Sequence, residues 1–209
     1  MQVRKKRPKK QGKTKATAQN SYSGPLGGRK LKYLSEDQIH ALFRVISSNR
    51  DKAMFRLAFL KGLRASEVGL IRLDDLRERE GRVYVRRLKN SRSGEFRLHR
   101  QEATFLRAWL RERGRSAGAL FRSRNNRAIS RRQLDRLMKT YGAAAGLPRE
   151  LCHFHVLKHS RGTQLLASTH DVTLVQDQLG HRNIQNTMIY AEVVNPTRDA
   201  LFEKEKERW

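Results

Sequence analysis

Residues 155–190 read HVLKHSRGTQLLASTHDVTLVQDQLGHRNIQNTMIY. Gly146 and Pro148 break the helical pattern before it, and the stretch then divides into three helical segments, about 155–168, 172–179 and 184–191. It gathers His155, Lys158, His159, His181 and Tyr190 within consecutive helical segments and the turn between the last two. Every one of these groups can donate, accept or hold a proton.

Working outward, the text upstream is also mostly helical. Ser35 and Gln38 form a capping-box pattern, followed by Ile39, Leu42, Phe43 and Ile46 on one face. Met54, Phe55, Leu57, Ala58 and Leu60 mark a buried helix that ends at Gly62, and Ser66 reads as the cap of a short helix through Val68 and Ile71. Val83 and Val85, then Phe96 and Leu98, alternate on either side of the turn-rich Asn90 to Gly94, which predicts a β-hairpin. Helices are expected at about 101–113 and, after a second capping box at Ser130 and Gln133, at about 131–145. Trp109 and Leu106 read as core. The last segment, Arg198 to Arg208, is charged and helix-prone. The fold class is therefore mainly α with a small antiparallel β-sheet, an α+β arrangement.

Charge narrows the partner. The 209 residues hold 46 Lys and Arg against 20 Asp and Glu, a net charge of +26. Such an excess favours a polyanion, through counterion release and long-range steering. An anionic membrane is the competing partner, but no long apolar run, signal-peptide core or strongly amphipathic basic helix supports it. Charge alone fits a ribosomal or nucleoid protein equally well. The run from Arg4 to Lys15, with KKRPKK at 5–10, reads as a disordered basic arm over residues 1–28, jointed at Ser21 to Gly28. A nuclear-import signal is the other reading of that run; a non-specific phosphate clamp is preferred. The single cysteine, Cys152, allows no internal disulfide and fits a reducing cytoplasm.

Three motifs give the chain a chemistry: Gly62-Leu63-Arg64-Ala65-Ser66-Glu67, His155-Val156-Leu157-Lys158-His159-Ser160, and Leu179-Gly180-His181 followed nine residues later by Tyr190. Together, in this order and spacing, they resemble the signature of the tyrosine recombinases (phage integrases), over about residues 33–195. The resemblance implies that family's catalytic-domain architecture and a DNA strand transferase. Such an enzyme cuts and rejoins duplex DNA through a 3′-phosphotyrosyl intermediate, without cofactor or metal.

The roles follow from the resemblance and from phosphodiester chemistry. Charge on the non-bridging oxygens must be met by fixed donors and cations. Arg64 would supply a two-pronged donor, His181 a further donor and Lys158 a point charge. Tyr190 would be the nucleophile, with His155 as base or proton relay, since a phenol near pKa 10 needs help to lose its proton. Lys89, in the hairpin turn, matches the family's mobile general acid for the leaving 5′ oxygen. Glu67 is expected to orient a neighbour, and His159 to pack or to support. Partners implied are double-stranded DNA and further copies of the chain, as a tetramer on DNA, with no membrane and no small-molecule substrate; the location is cytoplasmic, on the nucleoid.

The chain departs from the family pattern twice. Lys158 stands where the family usually has an arginine, which keeps the charge and loses the bidentate fork. Arg161, one turn on, is a candidate to lend its guanidinium. And the expected organisation is an arm over 1–28 with a catalytic domain over 29–209, without the N-terminal core-binding domain most members carry. Two alternatives stay open: a topoisomerase-like nicking and resealing enzyme, and a DNA-binding protein whose catalysis is impaired at Lys158. Cys152, His153, His155 and His159 superficially suggest zinc, but four well-placed ligands are needed and two of these are sequence neighbours.

Overall fold

The computed structural model describes residues 21–22, 31–88 and 91–194. The rest of the expected basic arm, Lys89 and the charged segment Arg198 to Arg208 lie outside the described residues.

Two short strands come first, β1 (Ser21–Tyr22) and β2 (Leu31–Lys32), paired antiparallel with Ser21 opposite Lys32. Two residues of the expected joint are thus strand; a two-residue strand is too short to show an alternation. The helices α1 (Glu36–Val45), α2 (Asn49–Leu60) and α3 (Ala65–Val68) follow. A three-stranded antiparallel sheet comes next, of β3 (Leu76–Arg77), β4 (Arg82–Val85) and β5 (Gly94–Arg97), with β4 in the middle and Val83 facing Phe96. The expected hairpin is β4–β5, and β3 is an edge strand with no sequence pattern of its own. Then come α4 (Arg100–Arg113), α5 (Arg131–Ala144), α6 (Val156–Thr169), α7 (Val172–Leu179) and α8 (Gln185–Val194).

Both predicted capping boxes form. Ser35 Oγ accepts from Gln38 N at 3.2 Å while Ser35 N donates to Gln38 Oε1 at 3.0 Å, and Ser130 with Gln133 repeats the pattern. The cap of α3 is a correction: Arg64, not Ser66, holds the N-cap place, and Ser66 lies inside the first turn. The reason is Glu67, whose buried carboxylate accepts from Arg64 N at 2.8 Å and starts the helix two residues earlier.

Packing centres on α2, which buries Ala53, Met54, Phe55, Leu57, Ala58 and Phe59. Phe55 meets Phe154 and Tyr141 edge-on, at 5.3 and 5.6 Å between ring centroids. Each such buried side chain stabilises the fold by about 1.5–3 kcal/mol. A second, smaller cluster of Leu166, Val175, Leu179, Tyr190 and Ala191 joins α6, α7 and α8. Tyr190 therefore sits in a satellite core, separate from the main one.

Candidate active site

Glu67 is the centre of the first half of the site. Its side chain is fully buried and accepts from Arg64 N and Arg64 Nη1, both at 2.8 Å, from Arg87 Nη1 at 3.2 Å and from Leu88 N at 3.3 Å. Burial would raise its pKa, but the Arg64 backbone N–H, the charge of Arg87 and the Arg64 guanidinium outweigh it and hold the carboxyl below its usual range. Arg64 is partly exposed and donates a further bond to Ser91 Oγ at 2.9 Å. Glu67 thus orients a neighbouring cation, as the sequence suggested.

Arg87 was not legible as a site residue. Its buried guanidinium ties four segments together: Nη1 donates to Gly62 O at 2.9 Å, and Nη2 to Lys61 O at 2.7 Å and Gln178 O at 2.9 Å, besides the Glu67 contact. Its Nε is buried without a hydrogen-bond partner. One signal could have found it. Val83, Val85 and Arg87 fall on one face of an alternating strand, so Arg87 occupies an inward position.

Lys158 and His181 form the junction with α7. Lys158 is 2% exposed, and its Nζ donates to Leu179 O at 2.8 Å. Desolvation first, then the charges of Arg87 and Arg64, push its pKa down to about 7. Gly180 ends α7 in the left-handed region, φ +68°, with Gly180 N donating to Asp177 O and His181 N to Gln176 O, both at 2.9 Å. That terminator fixes where His181 leaves the helix. Its Nδ1 lies 3.0 Å from Thr187 Oγ1, and burial together with Lys158, Arg64 and Arg87 brings its pKa down to about 3. Thr187 is a second residue that the sequence did not single out.

Tyr190 is 1% exposed and packs flat on α6 at Gly162, where an added Cβ would stand 2.5 Å from the ring. Its hydroxyl lies 3.3 Å from His159 Nδ1. Burial raises the phenol above its ordinary value, and the nearby charge of Arg64 pulls it the other way. His155, an exposed residue just before α6, sets its ring edge-on to His159 at 4.5 Å between centroids. Crowding by the surrounding chain, then Lys158 and Arg64, lower its pKa.

Arg64, His155, Lys158, His181 and Tyr190 are thus brought together, each within electrostatic reach of at least one other. Arg161 is not with them. The charge acting on it is Glu102 of α4, which is paired with Lys61 at 2.7 Å. Cys152 is buried under Gly142 and faces Pro148 O at 3.4 Å. Among the described residues no three His, Cys, Asp or Glu stand close enough to hold a metal ion, and no helix is long and apolar enough to cross a membrane. Surface cavities on the outer face of α5, lined by Arg131, Arg136 and Lys139, and beside Trp109 lie apart from this cluster.

A model of the phage integrase family matches residues 32–195. The type 1 fimbriae regulatory protein FimE of Escherichia coli (strain K12) is 34% identical over 170 residues, 77% of this chain and 85% of FimE. Tyrosine recombinase XerC of Salmonella typhi is 32% identical over 191 residues, 88% of this chain and 63% of XerC. Among solved structures, XerA recombinase superposes with a TM-score of 0.69 at 24% identity, over 84% of this chain and 64% of that one. XerH bound to its difH substrate before cleavage gives 0.66 at 22% identity, over 77% and 50%. At those identities the two structures speak for the fold. The chain spans most of FimE and under two thirds of XerC and XerA.

Proposed function

The chain belongs to the phage integrase family, and we propose that it is a site-specific recombinase that cuts and rejoins duplex DNA through a 3′-phosphotyrosyl bond at Tyr190. The observation that carries this reading is the convergence of Arg64, Lys158 and His181, with the charge of Arg64 reaching Lys158, His181 and the docked Tyr190, and Lys158 Nζ bonded to Leu179 O two residues before His181.

In this reading the scissile phosphate enters against Arg64, which is partly exposed while Glu67 and Ser91 fix its orientation. Its negative charge favours the ammonium form of Lys158 and strengthens both contacts in a site with little water. Thr187 Oγ1 stands 3.0 Å from His181 Nδ1; with the hydroxyl as donor, the ring proton sits on Nε2, where a neutral ring can donate to a phosphate oxygen. Lys158 acts as a point charge and, through Leu179 O, as a brace for the turn that carries His181. Lys89 protonates the leaving 5′ oxygen. The phosphotyrosine conserves the bond energy, so a 5′ hydroxyl of another strand reverses the attack with no external energy source. Strand exchange needs two duplexes, which makes a tetramer on DNA the working assembly and the cytoplasm its setting.

The test is covalent trapping on a nicked suicide duplex, with Tyr190→Phe in parallel. Wild type should form the adduct and Tyr190→Phe none, while DNA affinity stays nearly equal because many phosphate contacts supply it. An adduct with Tyr190→Phe would sink the assignment, and a two-site exchange assay separates recombination from nicking and resealing.

A further inference from the structure

We propose that Arg87 is a positioning residue for cleavage. It clamps the corner that carries Arg64 to the turn that carries His181, and so fixes the separation of the two phosphate ligands. The role rests on the recombinase reading of the site. The geometry begins with two helix ends that face each other. α2 ends at Leu60 with Lys61 as its C-cap, and α7 ends at Leu179 with Gly180 as its C-cap. Each end leaves carbonyls without a partner inside its own helix, and each carries partial negative charge. Two such ends repel unless donors and a cation lie between them.

Arg87 is that cation. Nη1 donates to Gly62 O at 2.9 Å, and Nη2 to Lys61 O at 2.7 Å and Gln178 O at 2.9 Å, so one planar fork holds both helix ends. Gln178 Nε2 crosses the same joint to Leu60 O at 2.8 Å, and Lys158 Nζ takes Leu179 O. The joint closes tightly. A Cβ at Gly62 would stand 2.2 Å from Leu179 Cδ2, and one at Gly180 would stand 3.0 Å from Arg87 Nε. Arg64 follows Gly62 by two residues, and His181 follows Leu179 by two. The same guanidinium reaches Glu67 at 3.2 Å, and Glu67 in turn orients Arg64.

The Arg87 side chain is fully buried, so it acts through its neighbours and not on the phosphate itself. Burying this cation is costly, and its Nε has no hydrogen-bond partner. What the fork supplies is a fixed distance across the joint. A lysine at 87 would keep the charge but, as a point donor, could not hold carbonyls of both ends in one plane. The charge of Arg87 also reaches Lys158 and His181, which places it in the same electrostatic cluster as the groups it aligns.

Arg87→Lys tests the clamp through three measurements: thermal unfolding, affinity for a nicked suicide duplex, and single-turnover adduct formation at saturating protein, well below the unfolding midpoint. The variant should fold and bind nearly as wild type does, while adduct formation falls about 10²-fold, the scale of a misplacement of about 1 Å. A cation that only held the fold would lower the midpoint and leave the rate of the folded protein unchanged. Repeating the substitution in His181→Ala gives a second readout. With one ligand gone, its separation from Arg64 no longer matters, and Arg87→Lys should slow that background by less than about threefold. Two results would overturn the proposal: Arg87→Lys within about threefold of the wild-type rate, or its full loss repeated in His181→Ala. If Arg87→Lys does not fold, Gln178→Ala decides, because it removes a half-buried donor from the same joint. It should lower the adduct rate several-fold at an unchanged midpoint, and a wild-type rate would overturn the clamp. An adduct that persists in Tyr190→Phe would instead remove the nucleophile reading beneath it.

Discussion

The two halves of the site are held in opposite ways. Around Glu67, a fully buried carboxylate, two guanidinium groups and two backbone N–H groups close on one another, and Arg87 adds bonds to three carbonyls. Around Tyr190 there is one long hydrogen bond to His159, a ring resting on a glycine, and the apolar packing of Leu166, Val175, Leu179 and Ala191. The difference matches what each half must do. Groups that meet a phosphate gain most from being fixed before it arrives. In the proposed reading Tyr190 is the nucleophile, and it is held by apolar packing more than by polar bonds.

The contrast can be broken hardest at Glu67. Glu67→Ala leaves the buried Arg87 facing no carboxylate, and thermal or denaturant unfolding should show a loss of about 3–5 kcal/mol. A loss no larger than that of an exposed ion pair would mean that the first half is not rigidly built.

Lys158→Ala tests catalysis in the same half. Cleavage should slow by a few hundredfold, about 3–4 kcal/mol, with little change in binding. Lys158→Arg should retain cleavage if the pocket admits the larger head. Wild-type cleavage by Lys158→Ala, together with a crippled Arg161→Ala, would reverse the two roles, against the placement of Arg161 beside Glu102.

On the looser side, Gly162→Ala puts a methyl group where the Tyr190 ring lies. Overpacking of this kind costs about 1–3 kcal/mol, and here it should displace the nucleophile. Adduct formation should drop by more than the modest fall in melting temperature would suggest. A variant that cleaves normally would show that the seat is not used on the way to attack.

The last test is a pH slope. Lys158 has a pKa of about 7 in the folded chain against 10.5 for an ordinary lysine, so between those values the unfolded chain binds more protons. Stability should therefore rise with pH across that window, be fully present above it, and be lost as pH falls toward 7. Lys158→Met should remove this slope from denaturant unfolding measured between about pH 7 and 10. An identical slope in wild type and variant would show that the ammonium is not held against its preference.

Much of the fold was legible because it follows local rules. Apolar spacing and the paired Ser35–Gln38 and Ser130–Gln133 caps delimited α1 and α5, and alternation at Val83 and Val85 gave the hairpin. Arg64, Lys158, His181 and Tyr190 could be picked out by motif and spacing. What stayed hidden depends on contacts distant in sequence. Arg87 is one cation among 46 until the sheet turns it inward. His155 and His159 share a helix face by spacing, and only the packing of α8 on α6 decides which one meets Tyr190. The Glu67 carboxylate, not the Ser66 hydroxyl, starts α3 because burial with two arginines fixes it there.

One pair of bonds has a mechanical meaning. Arg92 N donates to Gly180 O at 2.9 Å and Arg87 Nη2 to Gln178 O at 2.9 Å, so both ends of the segment from 87 to 92 are stapled to the turn before His181. Lys89 lies in sequence between those staples. In the proposed reading, a duplex that presses on Arg92 would pass its load to the turn that carries His181. A DNA site too stiff to make that push would then be bound without being cut.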